Sequence, residues 1–454
     1  ILVGAPRSVD RYQPFVRRPG ALYKCPYPTT DSVDSCTQVN VDSVGETRQH
    51  VVYHGRNVTF HHHKEDQWLG VSLDVDPKNH SSVLICAHRW TDSYIQRKMG
   101  GITHMNGMCY ILGGDLDEEG RPLPALTVTE RLVSRQRYAE FSMGSLGMAS
   151  VITEDQLLMT APGLNDWSGG LAIEVTAPTT PALNYIEPQR KFHQDSYIGY
   201  SMAIGTFVYR NTKCVALGAP RVGKIGSYFG ASMVSIDVNR DGMDDIIVGA
   251  PLFAEGGGIE QGRVFIYISK GIVGFQKSTT KLEGEIKNFA RFGTAIAVLG
   301  DVNQDGFTDI AVGAPYQDIN GAVFIYNGFV NGIYPKYTQL IHGKAVHIGL
   351  RGFGISFSRP FDINDDGVND IAVGAYSSDQ VTLFRGRPVV DMKVTYHFYP
   401  NQISKNSTCR VIGRTVVCFQ VQLCFYFKYN VMTSVSDDKI GMLFEKKLFF
   451  LFLF

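Results

Sequence analysis

Three nine-residue stretches carry the densest oxygen chemistry in this chain. They are Asp237-Val238-Asn239-Arg240-Asp241-Gly242-Met243-Asp244-Asp245, Asp301-Val302-Asn303-Gln304-Asp305-Gly306-Phe307-Thr308-Asp309 and Asp362-Ile363-Asn364-Asp365-Asp366-Gly367-Val368-Asn369-Asp370. Oxygen donors at positions 1, 3 and 5, a main-chain carbonyl at 7 and a carboxylate at 9 can wrap one hard cation. Glycine at position 6 permits the reversal that brings them round. Carboxylates combined with an amide oxygen favour Ca2+ over Mg2+, which prefers a water-rich octahedral shell. The expected ligands are therefore the side chains of Asp237, Asn239, Asp241 and Asp245, of Asp301, Asn303, Asp305 and Asp309, and of Asp362, Asn364, Asp366 and Asp370. The carbonyls of Met243, Phe307 and Val368 complete each shell.

The elements around the loops follow from what stands next. A helical EF-hand needs Glu at position 12, whereas Val248, Val312 and Val373 stand there, inside β-branched apolar runs that predict buried strands. The stretches are thus predicted as calcium loops joining β-strands. Every donor is committed to coordination, which suits a structural clamp and not a catalytic metal with an open position. No G-x-S-x-G, H-E-x-x-H or phosphate-cradling loop is present. His54 with His61, His62 and His63 is the one imidazole cluster. It reads as solvated, because no carboxylate spacing completes a site.

The loops recur in a fixed frame. Tyr228-Phe229-Gly230 and Gly249-Ala250-Pro251 flank the first, Arg291-Phe292-Gly293 and Gly313-Ala314-Pro315 the second, Gly352-Phe353-Gly354 and Gly374-Ala375-Tyr376 the third. The unit repeats every ~60 residues. Weaker copies run upstream. Tyr197-Ile198-Gly199 leads to Gly218-Ala219-Pro220, Thr160-Ala161-Pro162 closes another unit, and Gln67-Trp68-Leu69-Gly70 leads to Cys86-Ala87-His88. Val3-Gly4-Ala5-Pro6 is the tail of a seventh. Units of this length predict an all-β, seven-bladed propeller, with a linear array of β-modules as the alternative. The fourth unit is short: after Pro220 the chain passes through 221–226 straight into the Tyr228 repeat, so the outer two strands are expected to be missing. A dropped exon is favoured over a splice variant, since a half-blade exposes a strand edge inside the ring.

Composition narrows the remaining classes. Lys+Arg and Asp+Glu are both 43 in 454 residues, which removes the basic footprint of a nucleic-acid or membrane-surface binder. With 47 Gly, 22 Tyr and 27 Phe, the chain reads as tight turns between aromatic-rich strands. Cys25 with Cys36, Cys86 with Cys109 and Cys409 with Cys418 lie close enough in sequence to close short loops as disulfides. Cys214 and Cys424 have no local partner. Asn57, Asn79 and Asn406 head N-x-S/T sequons, and with the cysteine pairs they point to an extracellular setting. No apolar run reaches the ~20 residues of a membrane span, and both ends read as cut.

Phe-Gly to Gly-Ala-Pro repeats, the last three with calcium loops, resemble the headpiece of an integrin alpha subunit over about residues 1–387. Cys86-Ala87-His88-Arg89-Trp90 resembles that family's second-blade signature, with Cys109 as its disulfide partner. Too few residues separate Cys86 from Thr160 for an inserted I domain. Restriction of the loops to three repeats resembles the group containing the alpha-four and alpha-nine chains and related invertebrate chains. The family's third propeller disulfide has no counterpart, because 131–148 lacks Cys. Residues 388–430 resemble the start of the thigh domain, an immunoglobulin-like sandwich. Residues 431–454 no longer resemble the family and read as a non-native tail.

The resemblance implies a non-enzymatic adhesion receptor subunit at the cell surface. It implies pairing with an integrin beta subunit and binding of extracellular-matrix or cell-surface protein ligands, with Ca2+ in three sites. It also implies that Trp68, Tyr197 and Tyr228 ring the upper mouth of the propeller and cage a basic side chain of the beta subunit. Ligand contacts are implied at Trp167 and Phe192. Two other classes compete: a secreted phospholipase-like enzyme with an accessory propeller, which needs a catalytic domain the residues do not supply, and a free-standing calcium-dependent adhesin.

Overall fold

The computed structural model describes residues 1–27, 36–53, 56–78, 80–96, 100–123, 143–175, 183–186, 194–222, 226–387, 390–399, 401–402, 408–411, 413–417 and 420–429. Seven small antiparallel sheets follow one another from Leu2 to Phe384, and they are the blades of a β-propeller. The fifth blade shows the unit in full: Ser232–Ile236, Asp245–Ala250, Arg263–Ser269 and Phe275–Leu282 run as a meander, each strand bonded to the next. Its second strand is buried along its whole length, which is why that strand is an unbroken apolar run after Asp245. The sixth blade repeats this with Ala295–Gly300, Asp309–Ala314, Ala322–Tyr326 and Gln339–His342.

Neighbouring blades are joined by a recurrent seam. Single parallel bridges link Gly20 to Leu69, Gly107 to Leu146, Gly169 to Ile198, Gly262 to Phe292 and Gly321 to Phe353. Each ties the entry of one blade's third strand to the Phe-Gly position of the next blade. The glycines of Gly-Ala-Pro face the same seam. A Cβ on Gly249 would stand 2.2 Å from the carbonyl oxygen of Gly293, and one on Gly313 would stand 1.9 Å from that of Gly354. Glycine is required there because two backbones touch. Aromatic residues fill the seam between the fifth and sixth blades, where fully buried Phe292 and Phe324 meet edge-to-face at 5.2 Å. Each such ring contributes about 1.5–3 kcal/mol of burial.

The fourth blade has two strands, Met202–Tyr209 and Thr212–Leu217. Without a third strand, its second strand is exposed at Thr212 and Lys213 and only half-buried beyond, unlike its counterparts in the fifth and sixth blades. The seam bridge to the fifth blade is absent among the described residues, since the strand that would make it is missing. The blade still docks on the fifth through Phe207, packed with Ile246 and Val248.

One element was not expected. Thr47–Tyr53 and Arg56–His63 form a hairpin before the second blade, and Thr91–Gln96 and Gly100–Met105 form another inside it. The two pair edge to edge as a separate four-stranded sheet. Beyond the propeller, Val390–Tyr399 pairs with Gln420–Tyr429, and Thr408–Val411 with Arg414–Val417. The expected tail at 431–454 lies outside the described residues.

Candidate functional site

The three aspartate loops fold alike, and the hydrogen bonds show why. In the first loop the two carboxylate oxygens of Asp237 accept from the main-chain N–H groups of Asp241 (3.1 Å) and Gly242 (2.8 Å), while Asp241 accepts from Met243 N–H at 2.9 Å. Asp301 and Asp305, then Asp362 and Asp366, repeat the pattern. Position 4 takes a left-handed conformation in all three, at Arg240, Gln304 and Asp365. So does the glycine at position 6, with φ of 85°, 93° and 81°. The loop thus curls round its own carboxylates.

The ninth aspartate has a second task. Asp245, Asp309 and Asp370 are buried, and each binds two main-chain N–H groups with its two oxygens. Asp309 accepts from Val302 and Gly328, both at 2.9 Å, and Asp370 from Ile363 at 2.9 Å and Gly386 at 2.7 Å. Each therefore ties the start of its loop to the chain leaving the third strand. Burial, and then the neighbouring loop carboxylates, push Asp245 and Asp309 up to about 6.

The donor set fits a hard cation. Each loop concentrates carboxylate and amide oxygens within nine residues, the carboxylates repel one another, and none forms an ion pair with a basic side chain among the described residues. A second oxygen cluster does not fit. Glu285, Asp318 and His342 bring potential ligand atoms within 4.8 Å of one another, but the Lys287 ammonium lies 2.9 Å from Glu285 and 2.6 Å from Asp318. That charge is already neutralised.

Trp68, Tyr197 and Tyr228 occupy the same place in three blades, two residues before the Phe-Gly-type glycine, each half-buried and with left-handed φ. Two of the rings already hold a cation from this chain. Arg89 lies 4.9 Å from the Trp68 ring centroid, and Arg221 lies 4.7 Å from that of Tyr197. Tyr228 meets Tyr200 edge-on at 5.1 Å. Trp167 sits on a left-handed turn with Asn165 and Asp166 and remains 37% exposed. Its carbonyl accepts from Tyr197 N–H at 2.9 Å, which clamps this turn onto the fourth blade. Phe192 lies outside the described residues.

Cys25–Cys36 and Cys86–Cys109 are disulfides, the second joining facing positions on adjacent strands. Cys214 and Cys424 are free thiols. Cys418, Asn79 and Asn406 lie outside the described residues, as do the side chains of Cys409 and Asn57. Sequence reasoning missed a buried ion pair: Lys64 bonds the Asp42 carboxylate, which also accepts from the Tyr110 hydroxyl at 2.8 Å. The sequence hid it, because Glu65 and Asp66 stand next to Lys64 and look like its partners, whereas they pair with Arg17 and Arg18.

The FG-GAP repeat model matches residues 229–267 and 292–326. Integrin alpha-4 of Xenopus laevis is 33% identical over 94% of this chain and 42% of its own length. Integrin alpha-3 of Cricetulus griseus is 29% identical over 95% of this chain and 41% of its own, and integrin alpha-PS3 of Drosophila melanogaster 30% identical over 87% and 41%. The chain thus spans about two fifths of the length of these relatives. Among solved structures, a DUF4623 family protein from Bacteroides eggerthii aligns over 78% of this chain and 84% of its own at 9% identity, with a TM-score of 0.31, which is too distant to inform the fold. Along nearly its whole length, this propeller chain with FG-GAP repeats is a homologue of the integrin alpha chains.

Proposed function

We propose that this chain is the head of an integrin alpha-type cell-adhesion receptor subunit. It pairs with a beta subunit and binds extracellular-matrix or cell-surface protein ligands. The observation that carries this reading is the 33% identity to an integrin alpha chain, sustained across 94% of the sequence. In this reading the head is non-catalytic and stands outside the cell, as part of a single-pass membrane protein. Residues 1–387 are the propeller, 388–430 begin an immunoglobulin-like thigh, and 431–454 are foreign to the fold.

Ca2+ is the cation proposed for the three loops, held by the side chains at positions 1, 3, 5 and 9 and the carbonyls of Met243, Phe307 and Val368. Bound there, it supplies the positive charge that the crowded carboxylates lack. The chain's own residues do the rest: the main-chain N–H groups orient Asp237, Asp301 and Asp362, and the buried ninth aspartate fastens the loop to its blade. The metal's role is then to hold the blades, not to react.

Trp68, Tyr197 and Tyr228 are proposed to meet the beta subunit. Because Arg89 and Arg221 already lie over two of these rings, an incoming basic side chain must take the free face of a ring or displace them. Trp167 and Phe192 are proposed ligand contacts, and Asn57, Asn79 and Asn406 proposed glycan sites. Co-expression with an integrin beta chain, followed by capture through a tag on this chain, tests the assignment. Recovery of a stoichiometric pair is expected. A folded chain that recovers no beta subunit would favour the free-standing adhesin or the accessory propeller of a secreted enzyme.

A further inference from the structure

The first two aspartate loops each lie against an arginine from the blade before. Arg210, in the turn after Met202–Tyr209, donates from Nη2 to the Asp241 carbonyl at 2.8 Å. Its side chain is what a Cβ on Gly242 would meet first, at 3.6 Å. One blade on, Arg240 takes the same place beside the second loop. Its guanidinium carbon lies 4.3 Å from the Phe307 ring centroid, and a Cβ on Gly306 would stand 3.0 Å from its Nη2. Gly242 and Gly306 both hold position 6 of their loops. Among the described residues, nothing comes within 4 Å of the equivalent point on Gly367, so the third loop has no such cover.

The two arginines differ in where their main chain sits. Arg210 belongs to a turn that carries no carboxylate loop. Arg240 is itself position 4 of the first loop, with a left-handed φ of 59° and the proposed ligands Asn239 and Asp241 on either side. A side chain with that backbone is held by its surroundings. Here the next two N–H groups, of Asp241 and Gly242, are bound by the Asp237 carboxylate. Whatever tightens or loosens the first loop therefore moves the base of a side chain that rests on the second. What it touches there is the reversal glycine and the residue whose carbonyl is a proposed ligand. The third loop is tied differently: Asn369 donates to the Leu299 carbonyl at 3.1 Å, on the strand before the second loop and not on the loop itself.

We propose that Arg240 is a positioning residue that couples the first aspartate loop to the second, so that a cation held by the first raises the affinity of the second. The inference rests on the calcium assignment for both loops. With the first loop filled, its carboxylates no longer repel, the turn at Arg240 is fixed, and the planar guanidinium keeps its place over the Phe307 ring. The second loop is then already curled for its ion. With the first loop empty the turn loosens, and the second loop meets more of its own ordering cost on binding. The charge of Arg240 opposes a cation nearby, but the guanidinium is exposed and screened, so ordering outweighs it. An exposed cation–ring contact corresponds to about two- to fivefold in affinity.

Calorimetric calcium titration of the full chain tests the coupling. Asp366→Ala silences the third loop and leaves the first and second. Adding Asp241→Ala leaves the second alone, which should bind about two- to fivefold more weakly than when the first is filled. Repeating the pair with Arg240→Ala should make the two affinities equal, with no change of melting temperature in chelator. Arg240→Lys, which keeps a cation able to reach the ring, should restore part of the difference. Arg210→Ala, whose contact is with the first loop only, should weaken that loop and leave the coupling in place. No difference in the parent pair, a difference that survives Arg240→Ala, or equal loss on Arg210→Ala would overturn the coupling alone. Absence of calcium uptake by every loop would refute the calcium assignment itself, and the coupling with it.

Discussion

Replacing Asp309 by Asn separates the anchoring of a loop from its cation chemistry. Asp309 is fully buried, and its two oxygens accept from Val302 and Gly328 N–H, both at 2.9 Å. An amide of the same shape offers one acceptor, so one of these N–H groups must face an NH2 donor. Loss of a charge-assisted bond costs about 1.5–3 kcal/mol, and the stranded donor adds about 1–3 kcal/mol. Relief of the cost of burying a charged carboxylate, and then of repulsion from Asp305 and Asp301, offsets part of this. A net destabilisation of roughly 2–4 kcal/mol remains, or about 4–8 °C in Tm at ~2 °C per kcal/mol for a large domain. The assay is thermal melting by near-UV circular dichroism in chelator and again in excess calcium. Asp305→Asn, at an exposed loop position, is the control. It should lose little in chelator and should lose more of the stabilisation that calcium adds. If Asp309→Asn melts within about 1 °C of the parent in chelator, the ninth aspartate is a ligand only and the anchoring argument fails.

Three further outcomes are expected. Lys64→Met leaves the Asp42 carboxylate buried without its cation and should cost about 3–5 kcal/mol, read from urea unfolding midpoints. His88 is buried, and burial followed by the charge of Arg89 lowers its pKa to about 4. The unfolded chain therefore takes up this proton first, so stability present above about pH 6.5 is lost as pH falls toward 4, at roughly 1.4 kcal/mol per pH unit. In melting curves across that window, His88→Phe should flatten the dependence while keeping the ring against Trp68. Trp167→Ala should weaken adhesion to the native ligand at normal surface levels without changing calcium-dependent melting, as expected of an exposed aromatic contact. Unchanged adhesion would place the ligand elsewhere.

The repeats and the aspartate loops were legible in the chain because their information is local. The donors of one loop lie within nine residues, glycine at position 6 marks the reversal, and the apolar run after Asp245, Asp309 or Asp370 announces the buried strand. The short spacing between Gly199 and Gly230 limits how many strands fit there, and the sheet between them has two. The glycines of Gly-Ala-Pro were visible as a pattern, but their reason was not: Gly249 and Gly293 belong to different blades and meet only when the blades dock.

Tertiary structure decided the contacts whose partners are distant in sequence and carry no shared motif. The pairing of Arg56–His63 with Thr91–Gln96 changed a histidine run from a solvated loop into a strand with an outward and an inward face. The dual role of the ninth aspartate also emerged only there, because Gly328 comes within reach of Asp309 after the third strand has crossed the blade. Lys64, Asp42 and Tyr110 come from the hairpin end, a linker and the second blade, and only the fold brings them together. Periodicity encodes which side of a strand is buried, but not which other strand or charge will lie against it. That choice is made by the path of the chain, through the burial and hydrogen bonding it makes available.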